Sequence, residues 1–305
     1  MKNYILYGMK IKTEINFDEH LNRCYIDSYD FELVHSGNNL KIEIQSKLKK
    51  IYEKFIMNEP IPFEVLFQID EKVFYLSWLT HYHFIIDIRS NTINFYGELD
   101  GEFYCVFFSR VVSFLLYTRG YTQIHGSAIQ YKGKTVCFIG DSGAGKSTLA
   151  SLAFHHGGKV ITDDIIAIGP DSCEVNFGTS SLRLYPDSSY IPANAVFFNE
   201  VDKLRVNFNH SSYNKKYFPN FLFFIEVNDS KELIYEELDN FGKMTSLIYN
   251  AYNKKLLQNV FSDVMESENI KVFSELSRRS SFVKVTRHEN TSPEDVFSLV
   301  QSLLT

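Results

Sequence analysis

Residues 140–148 read Gly140-Asp141-Ser142-Gly143-Ala144-Gly145-Lys146-Ser147-Thr148. The first eight fit G-x-x-x-x-G-K-[ST] at every fixed position. That spacing is built for phosphate. The glycines let the backbone curl so that successive N–H groups face one anion. A helix beginning at Lys146 presents its positive end to the same point. Lys146 would reach the β and γ phosphates, and the Ser147 hydroxyl would ligate Mg²⁺. From average residue usage, a chance match in a chain of this length is on the order of one in a hundred. The stretch from Gly140 to Thr148 therefore predicts binding of ATP or GTP with Mg²⁺.

A second feature follows closely. Thr162-Asp163-Asp164 stands between the apolar pairs Val160-Ile161 and Ile165-Ile166. Two carboxylates at a strand edge beside bound phosphates can divide the work of phosphoryl transfer. One holds Mg²⁺, and the other accepts the proton of an attacking hydroxyl. An Asp-Asp pair can also be a plain turn. The guanine-reading N-K-x-D motif is missing, since Asn214-Lys215-Lys216-Tyr217 and Asn253-Lys254-Lys255-Leu256 both lack its Asp. The L-S-G-G-Q motif of transporter ATPases is absent as well.

These residues need a scaffold, and the hydropathy pattern supplies one. Strands are expected at Ile124 to Gln130 and Thr135 to Ile139, at Val160-Ile161 and Ile165 to Ile168, and at Phe221 to Val227 and Phe282 to Thr286. Helices are expected from about Phe103 to Arg119, at Lys146 to His156, Leu233 to Asn250, Lys254 to Ser267, and Pro293 to Leu304. Strands alternating with helices predict an α/β nucleotide-binding domain over residues 101–305. Residues 1–100 alternate as β-strands: Tyr4 to Thr13, Phe31 to Val34, Leu40 to Ile44, Phe63 to Gln68, Val73 to Leu79, His83 to Ile88 and Thr92 to Tyr96. One short helix is expected at Lys47 to Phe55. This predicts a smaller β-rich N-terminal domain without assignable chemistry. His81 and His83 could share a metal, but no third ligand accompanies them.

The chain has 305 residues, a formal net charge of −6 and 45% apolar residues, enough for a substantial core. The acidic balance argues against a nucleic-acid partner. Cys24, Cys105, Cys137 and Cys173 form no close pair, as expected of thiols in a reducing cytosol. The N-terminus lacks a signal-peptide pattern, and Phe103 to Tyr117 is too short to span a bilayer. These features predict a cytoplasmic protein with no membrane partner.

One ordered set carries a resemblance. Ile124-His125-Gly126-Ser127-Ala128, then Gly140 to Leu149, Thr162-Asp163-Asp164-Ile165 and Leu182-Arg183-Leu184 together resemble the HPr-kinase-like family. These are P-loop protein kinases whose catalytic domain resembles phosphoenolpyruvate carboxykinase. The likeness covers roughly residues 103–305. The opening Tyr4-Ile5-Leu6-Tyr7-Gly8-Met9-Lys10-Ile11 also resembles shorter homologues that phosphorylate lasso-peptide precursors on a serine hydroxyl. The resemblance implies that Gly140 to Thr148 bind ATP, with Ser147 on Mg²⁺. It implies Asp163 as general base, Asp164 as a Mg²⁺ ligand, and His125 beside Asp163, keeping it ionised as a neighbouring imidazolium would. Lys146 joins the catalytic set, and Arg183 is a candidate contact for phosphate or an acidic substrate group. A homo-oligomer is also implied.

The sequence departs from true HPr kinases where Thr148 replaces their acidic residue and where their second signature is missing downstream. The departure puts HPr in doubt as substrate, along with the reverse, phosphorolytic activity. Asn207 to Asn220 is a candidate substrate loop. Three readings compete. The first is an ATP- and Mg²⁺-dependent kinase acting on a Ser or Thr hydroxyl of a peptide or small protein, such as a ribosomal precursor peptide. The second is a small-molecule hydroxyl kinase, for example on free serine. The third is a non-catalytic ATP-sensing module.

Overall fold

The computed structural model describes the chain except residues 19, 26–27, 39, 41–47, 56–59, 180, 187, 192–195, 201–202, 208–214, 230–231, 254–261 and 305; at 196–200 and 262–268 it describes the backbone alone. The chain divides into two compact units, one of Met1–Leu115 with Asn253–Val264, the other of Leu116–Tyr252 with Met265–Thr305. This division and the sequence-based boundary at 100/101 differ chiefly by the helical segment that begins at Gly101. Its aromatic face is the reason: Phe103 packs on Phe95 and Phe17, and Phe107 on Phe17.

The first unit holds a nine-stranded sheet among the described residues. Its strands are β1 Lys2–Leu6, β2 Met9–Thr13, β3 Asn22–Arg23, β4 Phe31–His35, β5 Lys49–Lys54, β6 Glu64–Asp70, β7 Val73–Trp78, β8 Tyr82–Asp87 and β9 Thr92–Tyr96. The expected single strand from Tyr4 to Thr13 is a hairpin, because Tyr7 (φ 53°) and Gly8 (φ 79°) turn the chain. The expected helix at Lys47 to Phe55 is corrected to strand β5. It pairs antiparallel with β6 at the edge of the sheet among the described residues, and buries Ile51 while Lys49, Lys50, Glu53 and Lys54 stay exposed. Most of Leu40 to Ile44 lies outside the described residues. Helix α1, Gly101–Val106, continues through one π-helical turn, Phe107–Val111, into α2, Val112–Thr118. Arg110, the charge in this apolar run, meets the Glu64 carboxylate at 3.1 Å and lies over the Trp78 ring.

The second unit is a mixed sheet covered on both faces. Its strands are β10 Thr122–Tyr131, β11 Lys134–Gly140, β12 Lys159–Thr162, β13 Ile165–Ile168, β14 Val175–Asn176, β18 Lys216–Tyr217, β19 Pro219–Asn228, β20 Ile234–Glu237 and β21 Ser281–His288. β11, β19 and β21 run parallel side by side. A separate three-stranded sheet joins β15 Ser181–Leu184, β17 Lys203–Asn207 and β16 Val196–Glu200. Alternation along β11 shows how the sheet fills both cores. Val136 and Phe138 face one cluster, with Leu149 and Ala153 of α3 (Lys146–His155) and Val296 and Phe297 of α6 (Pro293–Leu303). Cys137 and Ile139 face the other, with Leu247 of α4 (Asn240–Tyr249) and Val272 and Leu276 of α5 (Ser262–Arg279).

The expected helix from Leu233 to Asn250 is corrected at its start. Residues 234–237 pair with β21 as β20, and α4 begins only after Asp239, whose carboxylate accepts from the Gly242 N–H at 2.7 Å. Of the helix expected at Lys254 to Ser267, residues 254–261 lie outside the described residues, and the remainder opens α5. Much of the candidate loop Asn207 to Asn220 lies outside them too, while Lys216–Tyr217 is β18. Among the described residues, no helix is long and apolar enough to cross a membrane. All four cysteines are free.

Candidate functional site

β11 delivers the chain to Gly140, which opens the loop at φ 151°. A Cβ there would overlap the Ile225 carbonyl oxygen of β19. Gly143 (φ 86°) and Gly145 (φ 97°) complete the curl, and Gly145 caps α3. The Lys146 amine donates to the Asp141 carbonyl at 2.8 Å, which holds it over the loop. Burial lowers the Lys146 pKa, while the charges of Asp163 and Asp164 raise it.

The Asp pair sits where β12 gives way to β13. Both strands pair with β10, and the β10 register shifts between Ala128 and Ile129. The two carboxylates stand between Thr162, which pairs with Ala128, and Ile165, which pairs with His125. Thr162 pins the turn by donating to the Ile165 carbonyl at 2.8 Å, and Asp164 takes φ 70°. Gly126 lies opposite, where a Cβ would crowd the Phe138 carbonyl and the Ile166 side chain.

The two carboxylates have different surroundings. Asp163 is buried and its hydrogen bonds are taken up. Ser147 donates to both oxygens, at 3.0 and 3.1 Å, and the Arg183 N–H donates to Oδ2 at 2.8 Å. Ser127 donates to Oδ1 in a short hydrogen bond. Asp164 keeps 23% of its side chain exposed. Its Oδ2 accepts from the Tyr252 hydroxyl at 2.9 Å, and its Oδ1 lies 3.5 Å from His125 Nδ1. Burial by itself would raise the Asp164 pKa; the charges of His125 and Arg183 and the Tyr252 hydrogen bond outweigh it, and the net direction is down.

This corrects one expectation. His125 lies beside Asp164, with Nδ1 also 3.1 Å from the Asp164 backbone carbonyl. Burial pushes its pKa down and the Lys146 charge adds to that, against the pull of Asp164. Donation from Nδ1 to the Asp164 carbonyl orients the turn. The physical reason is register. His125 pairs with Ile165, so its ring meets the residue adjoining that partner.

A cavity of about 270 Å³ joins these groups. It is lined by Ser142 to Thr148, His125, Asp163, Asp164 and Arg183, with Tyr185, Lys203 and Arg287. The structure thus brings every singled-out residue to one place except Gly140 and Asp141, which line the loop's other side. Sequence reasoning missed Tyr252, Ser127, Lys203 and Arg287. Ser127 stood in a quoted motif without a role. Tyr252 and Arg287 have no local signal, since each reaches the site from a distant part of the chain. Outside this cavity, His83 accounts for itself structurally: Nδ1 meets the Tyr75 hydroxyl at 2.9 Å and the Ser77 hydroxyl at 3.2 Å.

Tyr252 gives a pH test. Its hydrogen bond favours the charged form of Asp164. Tyr252→Phe should raise the Asp164 pKa and move the acid limb of the turnover profile to higher pH, with the alkaline limb in place. An unmoved acid limb would show that Asp164 does not govern it.

No protein-family model matches the chain. No curated protein matches it. Among solved structures, the chain is similar to the HPr(Ser) kinase/phosphatase from Coxiella burnetii, with 12% identity, 59% of this chain and 95% of that chain covered, and a TM-score of 0.29.

Proposed function

We propose that this protein is an ATP- and Mg²⁺-dependent phosphotransferase acting on an alcohol. One observation carries the reading: the phosphate-loop serine, Ser147, bonds one of two adjacent carboxylates while the second faces the same cavity with its own orienting pair. Ser147 Oγ and the Asp163 carboxylate are hard oxygen donors that face each other, the set Mg²⁺ takes when water and phosphate complete its shell. Bound there, Mg²⁺ would neutralise charge building on the transferring phosphoryl group.

The chain's own residues supply the rest. The amides of Gly143 to Ser147 and the start of α3 hold phosphate oxygens, and the Lys146 amine follows the transferring group. Asp164, the more exposed carboxylate, accepts the hydroxyl proton. Tyr252 and His125 are positioning residues: the first holds Oδ2 and the second the Asp164 backbone carbonyl. The roles expected for Asp163 and Asp164 are therefore exchanged in this proposal. Arg183, Lys203 and Arg287 add positive charge around the leaving phosphates.

For the acceptor we propose a Ser or Thr hydroxyl of a peptide or small protein, with a ribosomal precursor peptide as the specific case. The sequence likeness at His125, the phosphate loop and Asp163-Asp164 supports it. The test is to incubate the protein with γ-labelled ATP and Mg²⁺, adding free serine, HPr or a serine-containing precursor peptide in separate reactions. Label on the peptide is the expected result. Label on free serine alone would replace the peptide with a small molecule. Label on none, with nucleotide turnover unchanged in Asp164→Asn, would sink the kinase reading.

A further inference from the structure

A second cavity, of about 850 Å³, lies on the other side of the phosphate loop. Ser142 to Ala144 and Arg287 form the wall it shares with the first. The last two turns of α4 form its far side, and the C-terminal parts of β19 and β21 its floor. Ligands of parallel α/β sheets bind outside those strand ends.

The two cavities differ in charge. The first collects Lys146, Arg183, Lys203 and the positive end of α3 around Asp163 and Asp164. The second faces Glu226, Glu289 and the C-terminal end of α4, where a helix leaves carbonyl oxygens and partial negative charge. Its two cations are already engaged. Lys284 meets Glu226 at 2.7 Å, and the Arg287 guanidinium donates to the carbonyls of Ala144, His288 and Glu289. Phosphate is disfavoured there, and an uncharged group rich in N–H donors is favoured. Asn250 adds an acceptor, because its Nδ2 donates to the Ser246 carbonyl at 2.8 Å and its Oδ1 remains for a ligand. Tyr249 adds an aromatic face. It is 74% exposed and makes no hydrogen bond or ring contact among the described residues.

We propose that this cavity binds the nucleoside half of the nucleotide: a purine bearing an exocyclic amine, stacked on Tyr249, with its amine toward the acceptors of α4 and β19. The proposal rests on the phosphate-loop reading and extends it to the base. The chain would cross from one cavity to the other over Ser142 to Ala144.

Calorimetric titration with MgADP, MgIDP and Mg-triphosphate separates the two claims. IDP lacks the exocyclic amine, and inorganic triphosphate lacks the nucleoside. The wild type should bind ADP more tightly than IDP. Tyr249→Ala should lose about tenfold in ADP affinity, as the loss of one base–aromatic stack does, and keep its triphosphate affinity. Tyr249→Phe, which keeps the ring, should retain ADP affinity. Equal affinity for ADP and IDP would overturn the assignment of the amine. Equal losses of ADP and triphosphate, or no loss of either, in Tyr249→Ala would overturn the stacking. A wild type that binds none of the three would overturn the phosphate-loop reading itself.

Discussion

Asp164→Asn should cut phosphoryl transfer by between about a hundredfold and ten-thousandfold, the range a positioned proton acceptor supplies. Its affinity for MgADP should stay within about twofold of wild type. The amide keeps the shape of the carboxylate and can still accept from Tyr252 at Oδ2's position. It cannot take a proton. Asp163→Asn should behave differently. Asp163 is bonded by Ser147, Ser127 and the Arg183 N–H, and its surroundings leave little room for an acceptor hydroxyl. Its amide variant should lose the Mg²⁺ dependence of nucleotide binding, because the metal would forfeit its charged oxygen ligand. Binding of ADP with and without Mg²⁺, beside single-turnover rates, separates the two roles. If Asp163→Asn abolished transfer with Mg²⁺ dependence intact while Asp164→Asn stayed active, the roles would return to those expected from the sequence likeness.

The second large effect is structural. Gly140→Ala should destabilise the second unit by about 3 kcal/mol or more and abolish nucleotide binding. Two costs combine. A φ of 151° is a conformation that L side chains rarely adopt, with a cost of order 1–3 kcal/mol. The added methyl would also overlap the Ile225 carbonyl, part of the ladder joining β11 to β19. Neither the strand nor the loop can yield without breaking that pairing. Gly143→Ala is the control. Its φ of 86° is also left-handed, but a Cβ there meets nothing within 4 Å, so the loss should be about 1 kcal/mol. Denaturant melts of both variants check the difference. Equal midpoints for the two would show that β11 and β19 can separate locally.

Much of the second unit was legible because its signals are local. Gly140 to Thr148 states a loop, a helix start and an anion site within one short segment. The apolar runs of β11 and of the middle of β19 were visible for the same reason, since burial on both faces leaves almost no polar positions there to confuse the pattern. Misreadings fell where pairing overrides local preference. Residues 49–54 and 234–237 carry charged, helix-compatible side chains, yet each lies at a sheet edge with a partner on one side.

By itself, the sequence determined which groups are available: a glycine-rich loop of phosphate-cradling pattern, a serine beside its lysine and two adjacent carboxylates. Only the tertiary structure decided which partners each carboxylate meets. The two share a sequence context, but the turn between β12 and β13, with Asp164 at φ 70°, directs Asp163 toward Ser147 and Asp164 toward His125 and Tyr252. The same holds for Tyr252 and Arg287. Their chemistry depends on contacts across many residues of chain, and such contacts exist only once the sheet has set its register and brought α4 and β21 up to the phosphate loop.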